Sequence, residues 1–283
     1  MATFDFGDGA GPVLAHQHPN GLGWVADTAT VALTVLVDIN AVVFGTAIIS
    51  DHVKIYDNAQ VHGAAHLIGN AQVYGNAEVY DTAQVQDYAQ VYDNALVYGL
   101  SVVNGTAQVY GTANVFGSSS VSGYAKVYGL AHVSGSAIIT ENASVAGGTV
   151  LDNAIVFGTS TVQDVATVKQ SSKVYGFSTV GGSAILSQGS KVFDNAKVIG
   201  SSILNGDVQV YGNATVKDTS LLQGNAQVCG TSIISSAAII RGKAIIKENA
   251  KIAGTVVVQG SAIVGGNREF VGTEVIEGST QYL

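Results

Sequence analysis

The stretch NAQVYGNAEVYDTAQV, from Asn70 to Val85, states nearly the same unit three times in sixteen residues. With Val73 as position one, the unit is Val73-Tyr74-Gly75-Asn76-Ala77-Glu78. Steps of six lead back through Leu67, Val61, Ile55, Ile49, Val43, Val37 and Val31 to Val25, and forward to Val145. One residue is then missing, at VAGGTV (residues 145–150), and the series restarts at Val150 and runs to Ile276, broken only by Phe270. Position five is small almost throughout, as at Ala59, Ala77, Ala95, Ala113, Ser160, Ala196, Ala226 and Ala250. Positions three and four are mostly Gly or Asp followed by Asn or Thr.

A period this strict is the mark of a solenoid. It is not helical, because a six-residue step does not keep one face of a 3.6-residue turn apolar. β-Branched residues beside Tyr and Gln suit short strands, and Gly-Asn, Asp-Asn and Gly-Thr pairs suit tight corners. Position one then points inward, position five fills the corner, and positions two and six face outward. Each inward residue stacks on its equivalent in the next coil, giving a thin continuous core.

The outward residues set the length of a coil. Position two read in steps of eighteen gives Tyr56, Tyr74, Tyr92, Tyr110 and Tyr128. A second series gives Phe44, His62, Tyr80, Tyr98 and Phe116, and a third, after the missing residue, Phe157, Tyr175, Phe193 and Tyr211. Three six-residue units therefore close one triangular turn, and the repeat makes about fourteen eighteen-residue coils.

With an aliphatic residue first and a small residue fifth, the chain resembles the bacterial hexapeptide-repeat family. That resemblance implies a single-stranded, left-handed parallel β-helix; the hand comes from the resemblance and not from the period. It covers residues 25–264. Gly falls at position three rather than at position two as in many acyltransferase members. The VYGNA-like units and the opening HPNGLGWVADTA are closer to uncharacterised bacterial and phage repeat proteins.

The expected organisation is an N-terminal cap over residues 1–24, a β-helix over 25–264 with a tightened corner near 146–149, and a C-terminal cap or assembly element over 265–283. Phe4, Phe6 and Trp24 are available to lie over the first coil, whose open strand edge needs cover. Arg268 and Glu274 fall on inward position five, so the regular coil is expected to end near Val264.

Composition narrows the function. The net charge of −8 argues against a general nucleic-acid binder. It is unevenly spread, −10 over residues 1–152 and +2 over residues 153–283. One cysteine, Cys229, excludes an internal disulfide framework. No apolar run approaches the ~18 residues of a membrane helix, and the N-terminal stretch does not read as a signal peptide. Localisation is left open, with a virion tail or the cytoplasm as the alternatives.

Several classes of chemistry can be weighed. The resemblance implies that a CoA-dependent acyltransferase would carry a catalytic His near a loop extruded from the coil, with its acyl donor held between subunits. No loop interrupts the repeat, and His52, His62, His66 and His132 fall on turns or outer faces. His16 and His18 could hold a metal at a symmetric tip, or belong to a solvated cap loop. No third His has obvious access for a three-His zinc site. Asp residues are scattered at corners rather than paired. No catalytic residue and no cofactor are expected.

The tyrosine series could meet sugar rings or another protein, or could simply stiffen the coil. Position six read in steps of eighteen gives Ile185, Ile203, Leu221, Ile239, Val257 and Val275, an outward aliphatic row suited to burial between subunits. A parallel homotrimer, or a two-fold pair, would bury it. The reading is a non-enzymatic structural or adhesive rod, of the kind found in a phage tail fibre or spike, meeting a polysaccharide or another virion protein.

Overall fold

A computed structural model describes residues 2–283. The chain is all-β, with strands of 2 to 5 residues joined by tight turns. It forms two compact units, Met1–Ser136 and Ala137–Leu283. Each is a parallel β-solenoid with three sheets, consistent with a triangular left-handed β-helix. The first winds about six turns and the second about eight.

Register in the first unit follows the eighteen-residue step. Gln72 and Val73 lie between Lys54–Ile55 and Gln90–Val91. The next strand, Glu78–Val79, lies between Gln60–Val61 and Leu96–Val97, and the third, Gln84–Val85, between His66–Leu67 and Val102–Val103. A one-residue slip would turn Val73 outward and Gln72 inward, so the alternation pins the pairing. Val73 and Ala77 are fully buried, like nearly every residue at positions one and five. Where Ser replaces Ala at position five, its hydroxyl commonly donates to the carbonyl three residues back, as from Ser101 to Tyr98 and from Ser119 to Phe116, both at 2.8 Å, while Ser172 and Ser190 bond to each other at 3.2 Å. The buried polar atom is thereby satisfied.

The backbone is paired coil to coil even at the corners. The amides of Gln72, Tyr74 and Asn76 donate to the carbonyls of Ala89, Val91 and Asp93 at 2.9, 3.0 and 2.6 Å. Position three takes the left-handed conformation, with φ of 72° at Gly75 and 57° at Asp81. A Cβ on Gly75 would lie 2.9 Å from the Asp93 amide nitrogen. The corner therefore mostly takes Gly, or Asp, whose short side chain tolerates this conformation and bonds locally, with Glu141, Gln170, Gln188, Ser236 and Glu248 as the departures.

At the start of the first unit, β1 (Ala2–Phe4) pairs antiparallel with β2 (Val13–Gln17), and β2 pairs antiparallel with β3 (Trp24–Ala26). β3 is the first strand of its parallel stack, paired with Val42–Val43. One sheet edge is thus covered by a short meander. Phe4 stacks on Trp24 at 4.7 Å and Phe6 on Phe44 at 5.0 Å, fixing the meander to the coil.

In the second unit, the missing residue is absorbed at Gly147, where φ is 85°. The amide of Asp164 donates to Ala146 at 3.0 Å there. Strand pairing continues past Val264, where the sequence pattern suggested that the regular coil ends: Glu269–Gly272, Val275–Ile276 and Gln281–Tyr282 all pair in parallel with the preceding coil. Arg268 and Glu274 are exposed rather than buried, and Arg268 Nε donates to the Leu283 carbonyl at 3.1 Å. The inward positions here carry Phe270, Ile276 and Tyr282, and the two aromatic rings meet edge to face at 5.4 Å.

Replacing Gly75 with Val puts a β-branched residue in left-handed backbone against the next coil. We expect a loss of roughly 1–3 kcal/mol in denaturant unfolding. Gly75→Asn should lose less; equal losses would show that the corner conformation is not what limits this position.

Candidate functional site

The outer faces are built by positions six and two of each strand. In the first unit, Tyr56, Tyr74, Tyr92, Tyr110 and Tyr128 form one column, with ring centroids 4.8–4.9 Å apart and planes within 5°. Phe44, His62, Tyr80, Tyr98 and Phe116 form a second, at 4.6–5.0 Å. The two columns lie on different sheets, the first beside Gln72, Gln90 and Gln108 and the second beside Gln60, Glu78 and Leu96.

This geometry changes what the rings can offer. Each inner ring of a column has a neighbour on both faces. A sugar cannot stack flat on such a ring; it meets ring edges and hydroxyl groups. The Tyr56 hydroxyl already donates to Gln72 Oε1 at 3.0 Å, and Gln108 donates to Gln90 at 3.2 Å. The columns couple consecutive coils, each ring pair adding about 0.5–1.5 kcal/mol beyond area burial. In the second unit, Phe157, Tyr175, Phe193 and Tyr211 make the same arrangement at 4.8–4.9 Å.

Burial in the stacks shifts titration. Tyr92 is pushed up to about 12, first by loss of solvation and then by Tyr74, Tyr110 and Asp93. Tyr56, Tyr74, Tyr80, Tyr110 and Tyr175 are raised too, chiefly by burial. Tyr211 is also raised to about 12, first through its hydrogen bond with Cys229. His62, sandwiched between Phe44 and Tyr80, is lowered by desolvation, against the opposing pull of Glu78, Asp81 and Asp8.

The corner carboxylates have a role that the sequence reading missed. Each accepts a hydrogen bond from the backbone amide of the corner in the next coil: Asp57 from Gly75 at 3.1 Å, Asp87 from Gly105 at 2.9 Å, and Asp93 from Gly111 at 3.1 Å. In the second unit Asp164 accepts from Gly182 at 2.8 Å and Asp194 from Gly212 at 3.1 Å. These carboxylates close the backbone ledger of the corner. The signal was present in the sequence as Asp at position three with Gly eighteen residues later.

The aliphatic row exists as a row. Ile185, Ile203, Leu221, Ile239, Val257 and Val275 are consecutive partners down one outer face of the second unit. Ile203 and Val275 are 39% and 58% exposed, and the others are partly covered by one another.

The two N-terminal histidines part company. His16 is exposed and its Nδ1 lies 2.8 Å from Asp27 Oδ1, whereas His18 is buried, with Nδ1 3.3 Å from the Asn20 amide. The segment is therefore not the solvated loop that was one of the two readings: β2 carries His16 outward, and the turn beyond it folds His18 inward. No group of three His, Cys, Asp or Glu suited to a metal occurs among the described residues. Among the described residues no helix is long and apolar enough to cross a membrane.

Aromatic residues with free faces occur elsewhere, at position four. Tyr88 and Tyr124 in the first unit and Phe177 in the second are 62%, 68% and 70% exposed, and none stacks on another ring. The six-residue pattern hid them because position four is the variable one, small or polar in most units but Leu100, Leu130 and Val165 in others.

Residues 89–105 match the YdcK beta-solenoid repeat family, relating this fold to that repeat. No curated protein matches the chain.

Tyr92→Ser removes two ring stacks, and we expect it to cost roughly 1–3 kcal/mol in denaturant unfolding. Unchanged stability would return the column to a purely surface role. Because Tyr92 is raised above its unfolded value near 10, its contribution is complete below pH 10 and fades as pH rises toward about 12. His62 acts oppositely: lowered in the fold, it contributes above its unfolded value near 6.5 and loses that contribution as pH falls. Melting temperature measured across pH should therefore fall at both ends, and His62→Phe should flatten the acid limb.

Proposed function

We propose that this protein is a non-enzymatic structural and adhesive element whose copies assemble side by side in parallel. The observation that carries the reading is the aliphatic row Ile185–Ile203–Leu221–Ile239–Val257–Val275, held in register on one outer face of the second unit. A row running along successive coils matches the same row on another copy placed parallel to it. Burial there is favourable by roughly 25 cal/mol per Å² of apolar surface. Three copies around a shared axis close the assembly and leave no row uncovered.

Adhesion falls to the surfaces that assembly leaves open. In the first unit the Tyr56 column and the adjoining glutamines present hydroxyl and amide groups at coil spacing, a surface suited to hydrogen bonding with a partner. The β-solenoid fold is compatible with such a role. The likeness of the VYGNA-like units to those of phage repeat proteins supports a tail fibre or spike as the setting, with the virion as the proposed location.

Leu221→Asp combined with Ile239→Asp should reduce the mass measured by sedimentation to that of one chain, with β-rich circular dichroism retained. Unchanged mass would refute the interface. CoA bound between copies within reach of a histidine would replace this reading with an acyltransferase.

A further inference from the structure

The ring columns cannot offer a flat platform, so an exposed ring with free faces beside unsatisfied polar groups is the feature to seek. One corner of the second unit has it. Phe177, Asn195 and Asn213 occupy position four of three successive coils. Their backbones are locked together, the Phe177 amide donating to Asp194 at 2.6 Å and the Asn195 amide to Gly212 at 2.9 Å. With Lys197 and Thr215 they line an open cleft of about 540 Å³. Lys197 and Thr215 are register partners on the adjoining sheet face.

Two features separate this corner from its counterparts. In the first unit, Asn58, Asn76 and Asn94 occupy the same kind of column and bond to one another at 3.2 and 3.1 Å. The side-chain amides of Asn195 and Asn213 form no such chain, and each keeps its donor and acceptor free for a ligand. Lys251, in the same outer column as Lys197, has Glu269 at 3.8 Å. Lys197 has no carboxylate within ion-pair distance among the described residues. The carboxylate at this corner, Asp194, is committed to the Gly212 amide.

We propose that this cleft binds an acidic saccharide, a glycan carrying uronate residues, and the proposal extends the adhesive reading with a site of its own. The free face of Phe177 takes the C–H face of a pyranose ring. The amides of Asn195 and Asn213 stand one coil apart, about 4.8 Å, and each offers both a donor and an acceptor to sugar hydroxyls, which themselves both donate and accept. Lys197 meets the uronate carboxylate. A peptide suits the site less well: the corner backbone is already paired coil to coil, leaving no strand edge to extend, and no apolar pocket surrounds Phe177 to take a side chain.

The test is binding of the full chain to a printed array of uronate-bearing glycans, neutral glycans and polyglutamate. The wild-type protein should bind the uronate spots. Phe177→Ser, and Asn195→Ala with Asn213→Ala, should lose at least about tenfold of that signal, with melting temperature held within a degree or two. Lys197→Gln should abolish the preference for uronate over neutral spots. Tyr124→Ser, which removes an exposed position-four ring outside the cleft, should retain binding, and so should the Leu221→Asp and Ile239→Asp variant when array densities compensate for avidity; this separates the site from exposed rings in general and from assembly. No uronate signal from the wild type, equal signal from Phe177→Ser, or stronger binding to polyglutamate would each overturn the proposal.

Discussion

Parallel stacking at an eighteen-residue step forces every side chain to sit against its own equivalent, about 4.8 Å away. That constraint decides which residues each position accepts. Val on Val and Ala on Ala make a continuous core, and ring on ring makes the stacked columns. A carboxylate on a carboxylate would be repulsive at this spacing, and no Asp or Glu has another acid eighteen residues away. Asp57 is followed by Gly75, Asp93 by Gly111 and Asp194 by Gly212, so each charge meets an amide in place of a second charge. Lys173 over Lys191 is the one stacked pair of like charges, and long flexible stems let the ammonium groups diverge.

The same constraint explains what could be read in advance. Inward Val and corner Ala are dictated by a period of six, and the coil length by Tyr56, Tyr74 and Tyr92 recurring at eighteen. The pairing Gln72 opposite Gln90 follows directly. Legibility ended where geometry below the level of the repeat took over. That the tyrosine faces are consumed by stacking depends on ring orientation, which spacing does not encode. That His18 turns inward depends on the turn after β2, which lies outside the repeat. The last coil persisted beyond Val264 because exposed backbone edges gain from pairing even where Arg268 and Glu274 stay in water.

Functional signals here are departures from the repeat. Phe177 stands between Thr159 and Asn195 in its stack, and Asn195 and Asn213 leave open a hydrogen-bond chain that Asn58, Asn76 and Asn94 close. The aliphatic row in the second unit departs from the Gln-rich faces of the first. A scaffold that satisfies its own backbone at every corner leaves its outer faces free to vary, so the proposed recognition rests on single positions of otherwise interchangeable coils.

The stacking itself is open to one direct measurement. Spin labels introduced at Gln72 with a second label at Gln84, Gln90 or Leu96, in a Cys229→Ser background, report proximity through dipolar broadening. The account predicts that the 72/90 pair broadens far more than 72/84 or 72/96. Strongest broadening at 72/84 or 72/96 would contradict a three-sided coil and everything built on it.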